Sequence, residues 1–445
     1  MKLKMIPKIE NRVTARAAVL VIGSGGREHA LVWKLKQSPS VKEIYCAPGN
    51  AGIAELATLV SIKANDVEGL FQFAAKNRID LTVVGPEVPL VKGIVDRFEK
   101  DGLKIFGPSK RAAELEGSKA FAKHFMEKYH IPTANFHTFT RAQSAEAERY
   151  IQQHSAPLVV KADGLAAGKG AVVCQTQTEA LNILDEFFGK NIFGEAGSTV
   201  VIEEFMQGEE ASVFVLTDGT DYQFLQPAQD HKQIFDDDRG KNTGGMGAYA
   251  PAPVVTNTVM KRVEEEIVKP VLRGMREEGR TYKGCLYVGL MITAGGPKVV
   301  EFNCRFGDPE AQTVLPLIDG DLFEILSASA VGSFGSIKVN HHDASAVCVV
   351  MASRGYPDEY ETGKIIHGLE SVRAEDGIVV FHAATKKQNE LFITAGGRVL
   401  DVTAIGYRSD LEGTISSAYS AVKRITFDGA YYRSDIGKKG LRHNE

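Results

Sequence analysis

The chain of 445 residues is poor in cysteine: Cys46, Cys174, Cys285, Cys304 and Cys348 are scattered, odd in number and never in C-x-x-C spacing. That excludes a zinc ribbon and a disulfide framework, and it suits a reducing compartment, so a cytoplasmic location is expected. No apolar run approaches the ~18 residues that cross a bilayer, which excludes a membrane-spanning helix and a membrane partner. Neither sign of charge is in excess, since 52 Lys and Arg face 56 Asp and Glu for a net charge of −4. A protein that coats nucleic acid would carry a basic surplus, so no nucleic-acid partner is expected. Phosphorylated small molecules stay open, because they need only local positive patches. Internal repeats and low-complexity tracts are missing as well. The leader Met1–Arg16 carries Lys2, Lys4, Lys8, Arg12 and Arg16 but no apolar stretch with a cleavage site, so it does not read as a secretory signal. A disordered leader is the expectation.

What is present reads as a globular enzyme. Apolar residues make up 44% and charged residues 24% of the chain, and at about 150 residues per domain the length predicts some three domains. Forty-four glycines sit mostly at the ends of apolar runs. In the first 110 residues the runs Ala17–Ile22, Val41–Ala47, Asp80–Val84 and Lys104–Phe106 end in GSGG, PGN, GPE and GPS, with helices predicted over Arg27–Gln37 and opening near Asp66 and Pro89. Continuous apolar strands alternating with helices predict a parallel sheet, with ligands beyond the carboxyl ends of its strands.

Ser109–His130 reads as one long helix stopped by Pro132. Beyond it the pattern turns antiparallel: strands over Pro157–Ala162, Ala171–Cys174 and Thr199–Phe205 with a helix over Thr178–Phe188 form a small flap. Ala211–Leu216, Tyr222–Pro227, Leu286–Thr293 and Lys298–Phe302 then form a larger section, with a helix over Thr256–Gly279 bent at Pro270. Short strands over Val347–Ala352, Ile378–Ala384 and Val399–Gly406 and a helix over Asp410–Arg424 follow. Ser434–Glu445 reads as frayed, and the acidic run Asp236–Asp238 as a solvated loop segment.

Four strings carry chemistry. GSGGRE (Gly23–Glu28) follows a strand and opens a helix, where backbone N–H groups favour an anion. Glu28 stands where a dinucleotide fingerprint needs glycine, so a monophosphate fits better than a dinucleotide. DGLAAGKG (Asp163–Gly170) has three residues between its glycines where a P-loop has four, and strands on both sides. It reads as a hairpin turn whose amides fold over polyphosphate. VIEEF (Val201–Phe205) ends a strand that could offer its backbone to an adenine edge. VVEFNCRFGDPE (Val299–Glu310) is the strongest: Glu301 and Asn303, two apart on a strand, share one face, and a carboxylate with an amide suits Mg²⁺. Arg305 continues that face and could hold a substrate carboxylate in bidentate fashion. His231 in QDHK is a weak catalytic candidate.

In order along the chain, GSGGREHAL, APGNAG, DLTVVGPEVPLVKGIVD, KIFGPS, LEGSKAF, VVKADGLAAGKG, VIEEF, GEEAS, QDHK, NTGGMGAY and VVEFNCRFGDPE resemble the glycinamide ribonucleotide synthetase family of ATP-grasp ligases. The resemblance covers roughly Val19 to Glu310 and is weaker to about Arg424. It implies an α/β and α+β multidomain fold. Its parts would be a leader (1–16), an N-terminal parallel α/β pre-ATP-grasp domain (17–118), an ATP-grasp domain (119–338) with a mobile flap (about 133–205), a small β-rich C-terminal domain (339–435) and a tail (436–445).

It also implies ligation of glycine to 5-phosphoribosylamine with ATP, through glycyl phosphate. For ATP the resemblance points to Lys119, Lys161, Gly164, Gly168, Lys169 and Gly170 at the phosphates, Glu203, Glu204, Phe205 and Met206 at adenine, and Glu210 at the ribose. Glu301 and Asn303 would hold Mg²⁺ or Mn²⁺. Gly23, Ser24, Gly25, Gly26, Arg27, Asn50, Gly85, Pro86 and Glu87 would grip phosphoribosylamine. Asp230 and Arg305 would take glycine and, with Lys161, act in catalysis. A monomer acting on small molecules is expected. An ATP-grasp carboxylase and a non-catalytic nucleotide-binding regulator are the alternatives.

Overall fold

The first apolar runs form strands β1 (Ala17–Gly23), β2 (Val41–Pro48), β3 (Thr58–Leu59), β4 (Leu81–Val84) and β5 (Ile105–Phe106). In the computed structural model, which describes residues 17–166, 170–373 and 375–443, they make a parallel sheet in the order β3-β2-β1-β4-β5. The leader, and Gly168 and Lys169 of the second glycine-rich turn, lie outside the described residues. Val19, Val21, Leu81 and Val83 are wholly buried, as strands covered on both faces require. Helices α1 (Gly26–Leu35), α2 (Val67–Lys76), α3 (Glu87–Val91) and α4 (Ile94–Glu99) supply the cover. The chain leaves β1 for β2 on one side and returns to β4 on the other. The crevice beyond that switch point therefore lies between the GSGG turn and the Gly85–Glu87 turn.

The long helix expected over Ser109–His130 is broken into α5 (Glu114–Gly117) and α6 (Lys119–Lys128). Ser118 between them is extended and caps α6, its Oγ accepting from Phe121 N at 3.0 Å. The helix expected to bend at Pro270 runs as α9 (Asn257–Val263), a π-helical stretch (Glu264–Val268) and α10 (Lys269–Glu277). Proline offers no N–H to the Glu266 carbonyl and its ring crowds that group, so the preceding turn widens.

The flap is a four-stranded sheet, β6-β9-β7-β8, built from β6 (Phe136–Thr140), β7 (Leu158–Ala162), β8 (Ala171–Cys174) and β9 (Thr199–Glu204). Helices α7 (Ser144–Gln153) and α8 (Gln177–Phe188) pack on it. A second antiparallel sheet has the order β11-β10-β16-β17, from β10 (Glu209–Thr217), β11 (Tyr222–Phe224), β16 (Gly284–Thr293) and β17 (Gly296–Asn303).

Between β11 and β16 the chain departs from what its local pattern suggests. β12 (Gln229–Asp230) and β15 (Gly247–Ala250) leave the second sheet and extend the third, where β15 pairs with Ala344–Ser353. Between them β13 (Gln233–Phe235) and β14 (Arg239–Asn242) form a hairpin. Its acidic tip is not merely solvated. Asp238 pairs with Arg433 at 3.1 Å and Lys439 at 2.5 Å, and Asp236 accepts from Ser434 N at 2.9 Å. The segment expected to fray is consequently folded: Arg433 and Ile436 are wholly buried and Lys438–Leu441 is helical. Among the described residues no helix is long and apolar enough to cross a membrane.

Candidate functional site

The flap sheet and the second sheet meet at β17, where Lys298 pairs with Glu204 of β9 at 3.2 Å. A bulge shifts the register between Gly289↔Glu301 and Leu290↔Val299 and leaves Val300 without a partner on β16. The Val300 carbonyl thereby becomes an acceptor, taken by Lys161 Nζ of β7 at 3.2 Å. Glu301 and Asn303 keep the same face. Burial opposes ionisation of Glu301, but Lys232, Lys161, Lys119 and Arg305 together hold its carboxyl below the usual range. It accepts a long hydrogen bond from Asn303 Nδ2 at 3.5 Å. Asn303 Oδ1 is turned to Arg305 Nη2 at 3.2 Å.

A half-buried carboxylate with an amide oxygen two residues on is a fitting donor set for a hard divalent cation completed by phosphate oxygens. Among the described residues no three His, Cys, Asp or Glu side chains form a site of their own.

Lys161 also contacts Glu203 Oε1 at 2.9 Å, and Lys123 of α6 holds Glu203 Oε2 at 3.1 Å. Burial lowers the Lys123 pKa to about 8, with Glu203 opposing and Lys161 adding. Lys123 is absent from the sequence reading, although it stands one helical turn after Lys119, and that i, i+4 spacing was the available signal. Lys119 lies under the second glycine-rich turn, its Nζ donating to the Gly164 carbonyl at 3.1 Å. Asp163, also unassigned from sequence, docks this turn on α6 by accepting from Ala120 N (2.7 Å) and Ser118 Oγ (2.9 Å). That docking is why the long helix breaks at Ser118. Gly170 lies at the far end of the same turn, hydrogen-bonded to Ala162 N at 2.7 Å.

Strand β9 is central in its sheet rather than an edge. The backbones of Glu203 and Glu204 pair with β6 and β7, so neither is free to read a base. Phe205 and Met206 lie beyond the strand and make no backbone–backbone hydrogen bond among the described residues. Glu204, pointing away from Glu203, binds Asn135 and Lys298 at the rim of a cavity of about 390 Å³ that Phe205 also lines.

Arg305 is already engaged. Its guanidinium contacts Glu116 at 3.0 Å and Glu87 at 3.5 Å. Burial raises the Glu116 carboxyl, with Arg305 opposing and Glu87 adding, whereas Arg305 and Arg27 outweigh burial to lower Glu87. Two carboxylates of the chain thus stand beside the guanidinium, whose Nε has no hydrogen-bond partner among the described residues. Asp230 is half-buried beside Lys232, Glu210, Glu301 and Glu310, and desolvation with those acids pushes it up to about 7 against Lys232. Lys232 pairs with Glu210 at 2.5 Å.

The first glycine-rich turn is occupied by its own chain. Glu28 Oε2 accepts from Ser24 N (3.1 Å) and Gly25 N (2.6 Å), and Arg27 pairs with Glu28 at 2.6 Å. A Cβ on Gly85 would lie 2.0 Å from Glu28 Oε1, so only glycine lets that carboxylate fold between the two turns. Pro86 precedes Glu87 as the extended cap of α3. Asn50 is wholly used by the chain: Nδ2 donates to Ser24 and His382 carbonyls at 2.8 and 2.6 Å, and Oδ1 accepts from Gly52 and Ile53 amides. Gly26 is pressed against Asp401 from the third sheet.

Three family matches cover this architecture in order: phosphoribosylglycinamide synthetase N domain (residues 17–116), its ATP-grasp (A) domain (117–311) and its C domain (346–439). A phosphoribosylamine–glycine ligase of Chlorobaculum tepidum is 51% identical over 427 residues, 95% of this chain and 100% of that one. One from Escherichia coli O157:H7 is 49% identical over 431 residues, covering 96% and 99%. The crystal structure of the Thermotoga maritima phosphoribosylamine–glycine ligase superposes with a TM-score of 0.78 at 33% identity, over 94% of this chain and 99% of that one. The biotin carboxylase domain of Hydrogenobacter thermophilus 2-oxoglutarate carboxylase has a TM-score of 0.72 over 94% and 92% at 17% identity, a likeness of fold alone.

Proposed function

The chain belongs to the phosphoribosylglycinamide synthetase family, and from that premise we propose that it joins glycine to 5-phosphoribosylamine with ATP, releasing glycinamide ribonucleotide, ADP and phosphate, the second step of de novo purine biosynthesis. The observation that carries the reading is Glu301, half-buried and faced by Lys119, Lys161, Lys232 and Arg305. So many cations around one acid suit a polyphosphate with its counter-ion.

A carboxylate is a poor electrophile, so amide formation needs activation. A glycine carboxylate oxygen attacks the γ-phosphorus, the bond to ADP breaks, and glycyl phosphate forms. The amine of phosphoribosylamine then attacks the acyl carbon, phosphate leaves, and the amine loses a proton. Positioning and charge neutralisation are what the protein supplies. Lys119 and Lys161 would meet the phosphates under the turn that runs from Gly164 through Gly168 and Lys169 to Gly170. Phe205 and Met206 would meet adenine with their free backbone, and Glu210 the ribose. Glu301 and Asn303 would hold Mg²⁺ or Mn²⁺, which when bound neutralises phosphate charge. Gly23–Arg27 and Gly85–Glu87 would hold phosphoribosylamine, with Asn50 shaping the loop beside them.

Asp230 is the residue proposed for the glycine ammonium. The role of Arg305 is revised: it fixes Glu87 and Glu116. We take the chain as a cytoplasmic monomer divided at 17–118, 119–338 and 339–435, with β12 and β15 lent to the third part. The test is ADP release with ATP, glycine and phosphoribosylamine generated in situ, each omitted in turn. Dependence on all three is expected. Turnover without glycine, or with bicarbonate in its place, would make the chain a carboxylase, and ATP binding without ADP under any substrate pair would make it non-catalytic.

A further inference from the structure

We infer that Lys123 is a positioning residue for the nucleotide, keeping Glu203 paired when Lys161 turns from it toward the phosphates of ATP; the inference rests on the nucleotide reading of Lys161 given above. Glu203 is buried, and its two oxygens face different lysines: Lys161 on Oε1 at 2.9 Å and Lys123 on Oε2 at 3.1 Å. The two contacts differ in kind. Despite its closeness, Lys161 makes no aligned hydrogen bond to Glu203 Oε1, which has no hydrogen-bond partner, and its N–H goes to the Val300 carbonyl. Lys161 is thus tied to Glu203 by charge alone, and the hydrogen bond of its head group goes to a backbone carbonyl of another sheet. Lys123 is anchored, donating at 2.7 Å to Thr133 Oγ1, whose hydroxyl donates at 2.7 Å to the Val299 carbonyl.

The triad sums to one positive charge, so one ammonium is surplus to Glu203, and Lys161, which also faces Glu301, is the one whose Glu203 oxygen has no hydrogen-bond partner. Departure of Lys161 from a lone carboxylate would strand a buried anion, an unfavourable change that would oppose nucleotide binding. With Lys123 in place Glu203 stays paired throughout, and the affinity for nucleotide depends on a side chain that need not touch it.

The experiment measures the dissociation constant for ADP with Mg²⁺ by calorimetry, the three KM values, and the thermal midpoint. In Lys123→Met, Lys161 becomes the only cation for Glu203. The Kd for ADP and KM for ATP are expected to rise about tenfold or more, with KM for glycine changed less than about twofold. In Lys123→Met/Glu203→Gln the carboxylate that detains Lys161 is gone, and ADP is expected to bind more tightly than to Lys123→Met alone. Lys123→Arg, which keeps the charge, is expected to restore most of the affinity.

If Lys123→Met does not fold, the double variant, which strands no carboxylate, provides the reading through its ADP affinity, expected within a few-fold of the parent. A fall in thermal midpoint with unchanged ADP affinity, parallel rises in all three KM values, or a double variant that binds no better than Lys123→Met or, if that does not fold, much more weakly than the parent, overturns the inference. Failure of the underlying reading looks different: the unaltered protein would not bind ADP, or Lys161→Met would bind it equally well.

Discussion

Two ion clusters, one buried and one half-buried, have inverse composition. At Glu203 one carboxylate lies between two ammonium groups, Lys123 and Lys161; at Arg305 one guanidinium lies between two carboxylates, Glu87 and Glu116. The first has a cation to spare and can receive a polyphosphate. The second has an anion to spare, so a substrate carboxylate brought to Arg305 would have to displace a protein acid from it. Residue type alone suggested the reverse for Arg305, and the sign of the surplus in each cluster decides which ligand it admits.

The largest expected effect is at the second cluster. Arg305→Met strands Glu87 and Glu116, and a loss of about 3–5 kcal/mol in chemical-denaturation stability is expected. A variant of unchanged stability that lost only glycine affinity would return Arg305 to a substrate role and break the comparison. Next is the acid that faces both clusters. Glu301→Gln is expected to lower kcat about a hundredfold or more at saturating substrates. Near-normal turnover at low Mg²⁺ would remove its metal role.

A smaller, pH-dependent effect belongs to a third buried acid, Asp401, which shares Gln312 and Arg398 with Asp308. Burial, with Asp308 adding and Arg398 and Gln312 opposing, pushes it up to about 7. The unfolded carboxyl titrates near about 4. Between those values the native state keeps a proton that the unfolded chain has released, so this group's contribution falls as pH rises through that window and is level above it. Asp401→Asn should therefore lose less stability than the parent between pH 4.5 and 7.5, by up to about 1.4 kcal/mol for each pH unit; parallel curves would refute this. The smallest effect is at an exposed pair. Lys241 and Asp358, 2.8 Å apart with side chains 69% and 59% exposed, should tolerate Lys241→Ala with no measurable shift in the unfolding midpoint. A clear shift there would mean that burial is not what separates the clusters from ordinary ion pairs.

Legibility followed the range of the interactions. The parallel sheet was readable because Ala17–Ile22 and Leu81–Val84 are runs that only a doubly covered strand explains, and the flap because its strands and turns are consecutive. The place of Gly23–Arg27 at the end of β1 and the shared face of Glu301 and Asn303 were readable from local strings, whereas Lys161 entered through the family resemblance. Long-range partners were not readable. Glu28 looked like a departure from a fingerprint, yet its carboxylate satisfies the turn's amides. Asp236–Asp238 looked solvated because Arg433 and Lys439 are some 200 positions away in sequence.

What the sequence determined by itself was most of the strands and helices and the face shared by residues two apart on a strand, since helical and strand periodicities are local properties of the chain. Only the tertiary structure decided which charges share a buried space: that Lys123 completes Glu203, that Arg305 is already taken, and that Gln229–Asp230 and Gly247–Ala250 join the third sheet. Those outcomes depend on how segments far apart in sequence pair their charges and backbone groups once water is excluded, a condition that local periodicity does not encode.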